Sequence, residues 1–326
     1  MTMESGETAE ASIAPDEAFS VLGNEIRMNI LQILGRAEDR LSFSELKSRS
    51  TVDDPGQFNY HLDKLVGHFV DHSEEGYTLS RPGRRIIQAV LSGSVTDAPI
   101  LERTEIDWEC HFCGSKPVLM EYREEQLGVY CQDCEGLYGG VADDAVDVLP
   151  EERQRLHYSH LPPAGVPGRD PKEILLTAAL WTNSEIFLTA ASVCPRCSAQ
   201  LSSNLDICDE HHDDATICPA CDRRYAALYR AHCTNCLFES AVILGVTLMA
   251  DSRLRKFLLD HDIDPIYPSS VKYTKTINGY EETIHSTDPV KISIKFTIDH
   301  DWIRLTVDDT LAVVKCEKSS ADSDSR

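Results

Sequence analysis

The sequence predicts an α+β protein built from several small domains. Three patterns carry that expectation: apolar residues at helical spacing followed by a short strand pair in the first hundred residues, repeated Cys-x-x-Cys pairs in the middle, and apolar–polar alternation near the end. At 326 residues the chain exceeds one ordinary core, and its 42% apolar content supports folding. The formal net charge is −23, from 54 Asp+Glu against 31 Lys+Arg. Such acidity ordinarily argues against a polyanionic partner, yet an acidic, lysine-poor surface also suits a protein that works in concentrated salt. No apolar run is long enough to span a bilayer, and "MTMESGETAEAS" lacks the apolar core of a signal peptide, so a cytoplasmic protein with no membrane partner is expected.

Residues 1–17 read as a disordered acidic tail, as do residues 319–326 at the other end. Between Phe19 and Leu34 the residues Phe19, Leu22, Ile26, Ile30, Ile33 and Leu34 predict one amphipathic helix with Gly35 as its C-cap. "LSFSELKSRS" predicts a short strand and then a helix capped by Ser44. "DPGQFNYHLDKLVGHFV" predicts a third helix carrying Phe58, Leu62 and Leu65 on one face and ended by Gly67. Two strands joined at Glu75-Gly76 follow, and then a helix, "RRIIQAVLSG", behind Arg81-Pro82-Gly83.

That order is the order of a winged helix-turn-helix, assigned to residues 18–96. "LGNEIRMNILQIL", "FNYHLDKL" and "GYTLSRPGRR" resemble the first helix, recognition helix and wing of the ArsR-type winged-helix regulators. The resemblance implies that Leu62 and Leu65 anchor the recognition helix inward while Gln57, Asn59, Tyr60, His61 and Lys64 face the major groove of double-stranded DNA. Arg81, Arg84 and Arg85 are expected beside that face, on phosphate. No cysteine precedes Cys110, so the thiolate pair of the metal-sensing members is absent, and the tight "LVGHFV" junction departs from the family's longer turn.

The cysteines predict metal. Cys110, Cys113, Cys131 and Cys134 have the spacing of a zinc ribbon, placed at residues 105–145, with Gly114 and Gly136 suited to the tight turns behind each pair. Residues 194–238 hold four further pairs, Cys194/Cys197, Cys208/His211, Cys218/Cys221 and Cys233/Cys236, enough for two more sites. Sequential, nested and crossed pairings are all open, and His212 could replace His211. Three Zn²⁺ per chain are therefore expected, and disulfides are disfavoured in a reducing compartment. Cys316, alone, is expected buried or half-buried in a strand.

Residues 150–193 are expected as a helical connector, with "LPPAGVPG" as a boundary and a helix begun by Asp170, Pro171 and Glu173. Residues 240–318 are expected as a helix, "SRLRKFLLDHDI", plus an antiparallel meander with Asn278-Gly279 as a hairpin turn. Within it, Ile292, Ile294, Phe296 and Ile298 alternate with Lys291, Ser293, Lys295 and Thr297, giving one dry and one wet face that could meet a protein partner or a small ligand.

These readings converge on a dimeric, sequence-specific DNA-binding transcriptional regulator with zinc-stabilised C-terminal modules. The overall order resembles multidomain regulators of halophilic archaea. A zinc-ribbon adaptor of the transcription or RNA machinery, not itself reading DNA, is the alternative. An enzyme is not expected: no nucleotide-binding loop, H-E-x-x-H or G-x-S-x-G occurs, and the Cys/His pairs have structural-site spacing.

Overall fold

Helix caps and short strands set the architecture. The computed structural model describes residues 13–138, 154–212, 216–268 and 270–319. The chain divides into two compact units, Met1–Asp97 and Ala98–Arg326, each taken by itself. Most of the two expected tails, residues 1–12 and 320–326, lies outside the described residues. Among the described residues no helix is long and apolar enough to cross a membrane.

The first unit runs α1 (Pro15–Leu22), α2 (Glu25–Gly35), α3 (Phe43–Arg49), α4 (Pro55–Leu65), β1 (Val70–Ser73), β2 (Gly76–Leu79) and α5 (Arg81–Leu91). The single helix expected over Phe19–Leu34 is two. Asn24 takes extended backbone and its side chain accepts the Arg27 N–H, so the helix restarts there. Phe19, out of phase with α2, is 74% exposed. α1 begins at Pro15, inside the segment expected as tail. Ser42, not Ser44, caps α3, because Glu45 three residues on completes a capping box. The strand expected before it is only a bridge between Leu41 and Tyr77. α4 starts on an Asp54 cap and ends at Leu65, before Gly67, where Val66 turns extended. Ile30, Leu31, Leu46, Phe58, Leu62, Leu65 and Ile87 form the buried cluster on which these elements close.

In the second unit β3 (Leu101–Ile106), β4 (Val118–Arg123), β5 (Gln126–Tyr130) and β6 (Arg155–His160) form one antiparallel sheet in chain order. β6 lies in the stretch expected as connector, yet it completes the sheet of the first cysteine module. "LPPAGVPG" is likewise internal rather than a boundary. Leu161 is buried with Met120 and Leu175, and the Tyr122 hydroxyl donates to its carbonyl at 2.8 Å. α6 (Pro171–Ala190) has the expected capping box of Asp170 and Glu173. It buries Ile174, Leu175 and Ala178 against the first sheet and Ile186 in the next core, while Trp181 remains 42% exposed.

A second sheet, β7 (Leu201–Ile207), β8 (Ala227–Cys233) and β9 (Glu239–Ile243), follows. After α7 (Leu244–Thr247), α8 (Ser252–Asp260) and α9 (Val271–Asn278), the chain ends in a meander of β10 (Glu281–Thr287), β11 (Val290–Ile298), β12 (Asp301–Val307) and β13 (Val313–Lys318). Asn278-Gly279 does not turn a hairpin. It closes α9, whose Ser270 cap and buried Tyr273, Thr276 and Ile277 have helical spacing. The dry face of the meander is as expected: Ile292, Ile294, Phe296 and Ile298 are all at most 2% exposed. Cys316 pairs with the buried Leu305 and so shares the dry face, but on the edge strand β13 it is exposed, not buried.

α5 approaches the β-hairpin closely at Gly83, where a Cβ would stand 2.0 Å from the Phe69 carbonyl oxygen. Backbone cannot yield as a side-chain tip can, so Gly83→Ala should destabilise the first unit by about 1–3 kcal/mol. Urea unfolding of the full chain followed by circular dichroism checks this; unchanged stability would mean that α5 does not pack there.

Candidate metal centres and nucleic-acid face

Three of the ligand pairs are presented by the same backbone device. The N–H four residues after the first cysteine returns to that cysteine's carbonyl, from Gly114 to Cys110 at 2.9 Å, Ser198 to Cys194 at 2.9 Å and Asp222 to Cys218 at 2.7 Å. The residue closing the turn is left-handed in all three cases, with φ of 81°, 62° and 56°. Gly136, with φ of 71°, serves the Cys131/Cys134 pair. Glycine is the residue expected at such a turn, and Ser198 and Asp222 meet the same demand without the sequence signal. The turns aim N–H groups at sulfur: Arg196 N–H at Cys194 Sγ, 3.4 Å; Ala220 N–H at Cys218 Sγ, 3.4 Å; Asn235 N–H at Cys233 Sγ, 3.3 Å.

Three groups result: Cys110, Cys113, Cys131 and Cys134; Cys194, Cys197, Cys233 and Cys236; and Cys208, His211, Cys218 and Cys221. Within each, the four ligand atoms lie within 4.8 Å of one another. The pairing in 194–236 is thus nested, the outer pairs enclosing the inner. Sulfur–sulfur distances are 3.7 Å for Cys110/Cys134, 3.5 Å for Cys113/Cys131, 3.6 Å for Cys194/Cys236 and 3.5 Å for Cys197/Cys233. A tetrahedron with metal–sulfur bonds of about 2.3 Å has edges of about 3.8 Å, whereas a disulfide needs about 2.05 Å. His211 Nδ1 is 3.5 Å from Cys221 Sγ, matching the shorter nitrogen–sulfur edge. His212 offers its backbone N–H to Cys218 Sγ instead of a ring nitrogen to a metal. The donor sets fit divalent metal ions, and all twelve expected ligands are brought together.

Burial pushes the Cys110 thiol up to about 11, whereas the Ala199 N–H and then the Asn235 amide draw Cys197 down to about 6. A bound cation holds all four sulfurs as thiolates, so acidification competes with binding.

On the first unit, the residues expected to face DNA divide. Gln57, Asn59, Tyr60 and Lys64 are exposed on α4, and Arg81, Arg84 and Arg85 are exposed on α5. His61 is a correction: it is 8% exposed and its Nδ1 lies 3.4 Å from Arg27 Nη1. The spacing contained the reason, since Phe58, His61, Leu62 and Leu65 are i, i+3, i+4 and i+7 on one face. Arg27, not singled out from sequence, also donates to the Ser20 carbonyl at 2.8 Å and to that of Val21, clamping the end of α1. Desolvation and the Arg27 charge hold His61 below the ordinary histidine range. Asn59 donates its amide to Asp63 at 2.9 Å.

The family described as a domain of unknown function, DUF7351, matches residues 107–313, more than half of the chain. The chain belongs to that family. A second domain of unknown function, DUF7347, matches residues 15–90. The DUF7351 match falls within the second compact unit, metal groups included, and the DUF7347 match within the first. No curated protein and no solved structure matches the chain.

Three metal ions per chain are expected by native mass spectrometry of gently prepared protein. Cys197→Ser should leave two, since the outer group loses a ligand while the inner keeps its own. One ion or none in the unmodified chain would overturn the assignment.

Proposed function

We propose that this protein is a transcriptional regulator whose first unit is a winged helix-turn-helix reading duplex DNA through α4, and whose DUF7351 unit is held by zinc. One observation carries the reading. α4 places Phe58, His61, Leu62 and Leu65 in the core and leaves Gln57, Asn59, Tyr60 and Lys64 outward on a helix whose start and end are both fixed. Gln and Asn amides can pair bidentately with adenine, a Lys can reach guanine or phosphate, and Tyr60 can rest on a thymine methyl. Lys64, Arg81, Arg84 and Arg85 have no ion-pair partner among the described residues, which leaves them for phosphate. Zinc is favoured by the donor sets, two of four cysteines and one of three cysteines with a histidine. Exposed Phe19, Leu91 and Val95 are apolar surface that a second copy would cover in a homodimer.

Charge decides how such a head would bind. Over residues 18–100 there are nine Lys+Arg and eleven Asp+Glu, so counterion release cannot supply most of the affinity. Base contacts and shape must, and binding should fall only shallowly as KCl rises.

Selection of genomic fragments by the zinc-loaded protein tests the reading; enrichment of no duplex would favour the adaptor alternative. On the selected site Gln57→Ala should cost about 1–3 kcal/mol and relax discrimination, while Arg84→Ala should weaken all sequences alike. Equal effects of both on every sequence would sink the recognition-helix assignment.

A further inference from the structure

The outer face of the C-terminal sheet, opposite Ile292, Ile294 and Phe296, carries a hollow of about 420 Å³. Its floor is two hydroxyls. Ser293 and Thr306 are direct neighbours across β11 and β12, with Oγ and Oγ1 2.8 Å apart. Side chains on a solvent face are ordinarily wet, but these two are only 4% and 2% exposed. His285 Nε2 stands 2.7 Å from Ser293 Oγ, extending the floor into a three-membered hydrogen-bonded row. Around it stand Lys291, Arg304 and Lys315. The single carboxylate of the lining, Glu317, is paired with Lys315 at 2.9 Å. In a chain of net charge −23 this lining holds three cations against one anion.

We propose that this hollow binds a phosphate dianion, free or as the phosphoryl group of a small metabolite, on Lys291, Arg304 and Lys315 with a hydroxyl donor from the floor. Arginine presents a planar fork that matches two phosphate oxygens, and the lysines add point charges. The floor supplies direction: when His285 donates from Nε2, Ser293 accepts and donates to Thr306, whose own O–H is left for the ligand. A dianion favours that arrangement over the reverse one, in which Thr306 would turn its hydrogen toward Ser293. No proton leaves either hydroxyl.

The site is independent of the DNA reading and of the metal groups. Isothermal titration of the full, metal-loaded chain with inorganic phosphate in low-chloride buffer tests it, with metal content measured before and after. Saturable single-site binding is expected. Arg304→Gln should weaken it about tenfold or more, as loss of a charge-assisted pair does. Glu317→Gln should tighten it, because the carboxylate both repels the anion and holds Lys315; a merely structural role for Glu317 would not change affinity in that direction. Adenosine 5′-monophosphate distinguishes the two sources. Affinity equal to that of phosphate means that only the phosphoryl group is held, and tighter binding means that the nucleoside reaches Trp302, whose ring lies 5.3 Å from the Arg304 guanidinium. Absence of saturation at millimolar phosphate, or affinity unmoved by both Arg304→Gln and Glu317→Gln in folded protein, would overturn the proposal.

Discussion

One antiparallel hairpin governs the second unit, because metal groups sit at both of its ends. β7 and β8 pair from Leu201 with Cys233 to Ile207 with Ala227. At the first end stand Cys194, Cys197, Cys233 and Cys236; at the other stand Cys208, His211, Cys218 and Cys221. A strand of this length spans on the order of 20 Å, so two tetrahedral centres fix one register at two distant points. Slipping the pairing by one residue would misplace both ligand sets and turn every side chain to the opposite face. Register is the constraint from which the rest follows.

β8 passes that register onward. Immediately before it, Arg224 bonds through its side chain to the Gly136 carbonyl at 2.9 Å and through its N–H to that of Leu137 at 3.0 Å. The first cysteine module is thereby fixed to the inner metal group. The next residue, Tyr225, donates to the Asn278 carbonyl and stacks on Tyr280, ring centres 4.0 Å apart, while Glu282 accepts the Ala226 N–H. α6 runs alongside and joins two cores, and its Asn183 donates to the buried Tyr273 hydroxyl at 2.9 Å. Three metal groups, two small sheets and the meander form a single body, since none of the small sheets alone buries enough apolar area to stand.

Features decided by local chemistry were legible in the sequence. The twelve ligands were readable because Cys-x-x-Cys spacing follows from one turn, and the dry face of β11 because alternation has a period of two. The capping box of α6 was readable for the same reason. What escaped depended on competition between signals. Ser42 and Ser44 are equally good caps as residues, and only Glu45 three residues after Ser42 decides between them. Val271–Asn278 is rich in β-branched residues and precedes an Asn-Gly, both strand-like, yet burial of Tyr273, Thr276 and Ile277 holds it helical. Nested metal pairing and the inclusion of β6 in the first sheet are long-range facts, for which spacing along the chain carries no signal. His61 escaped because its polarity points outward while its position lies on the buried stripe.

Cations are placed with the same economy. With acid in such excess, a lysine or arginine readily finds a carboxylate, and many do: Arg223 and Arg230 share Asp206, Arg196 meets Glu185, Arg103 meets Glu121 and Arg253 meets Asp251. Most of these contacts knit one element to another. Against that background a cation with no carboxylate in ion-pair contact keeps its charge for another anion. Among the described residues Lys64, Arg81, Arg84 and Arg85 of the first unit and Lys291 of the meander are such cations. Dense salt screens charges beyond a few ångströms, so the net charge of the chain does not forbid an anion at either place. Only the groups within direct contact count there, and at both places cations, amides and hydroxyls able to donate hydrogen bonds outnumber the carboxylates, which are themselves held, Asp63 by Asn59 and Glu317 by Lys315. An acidic protein can therefore meet an anion wherever the contact is local and directional and its own few carboxylates are already held by a neighbouring donor.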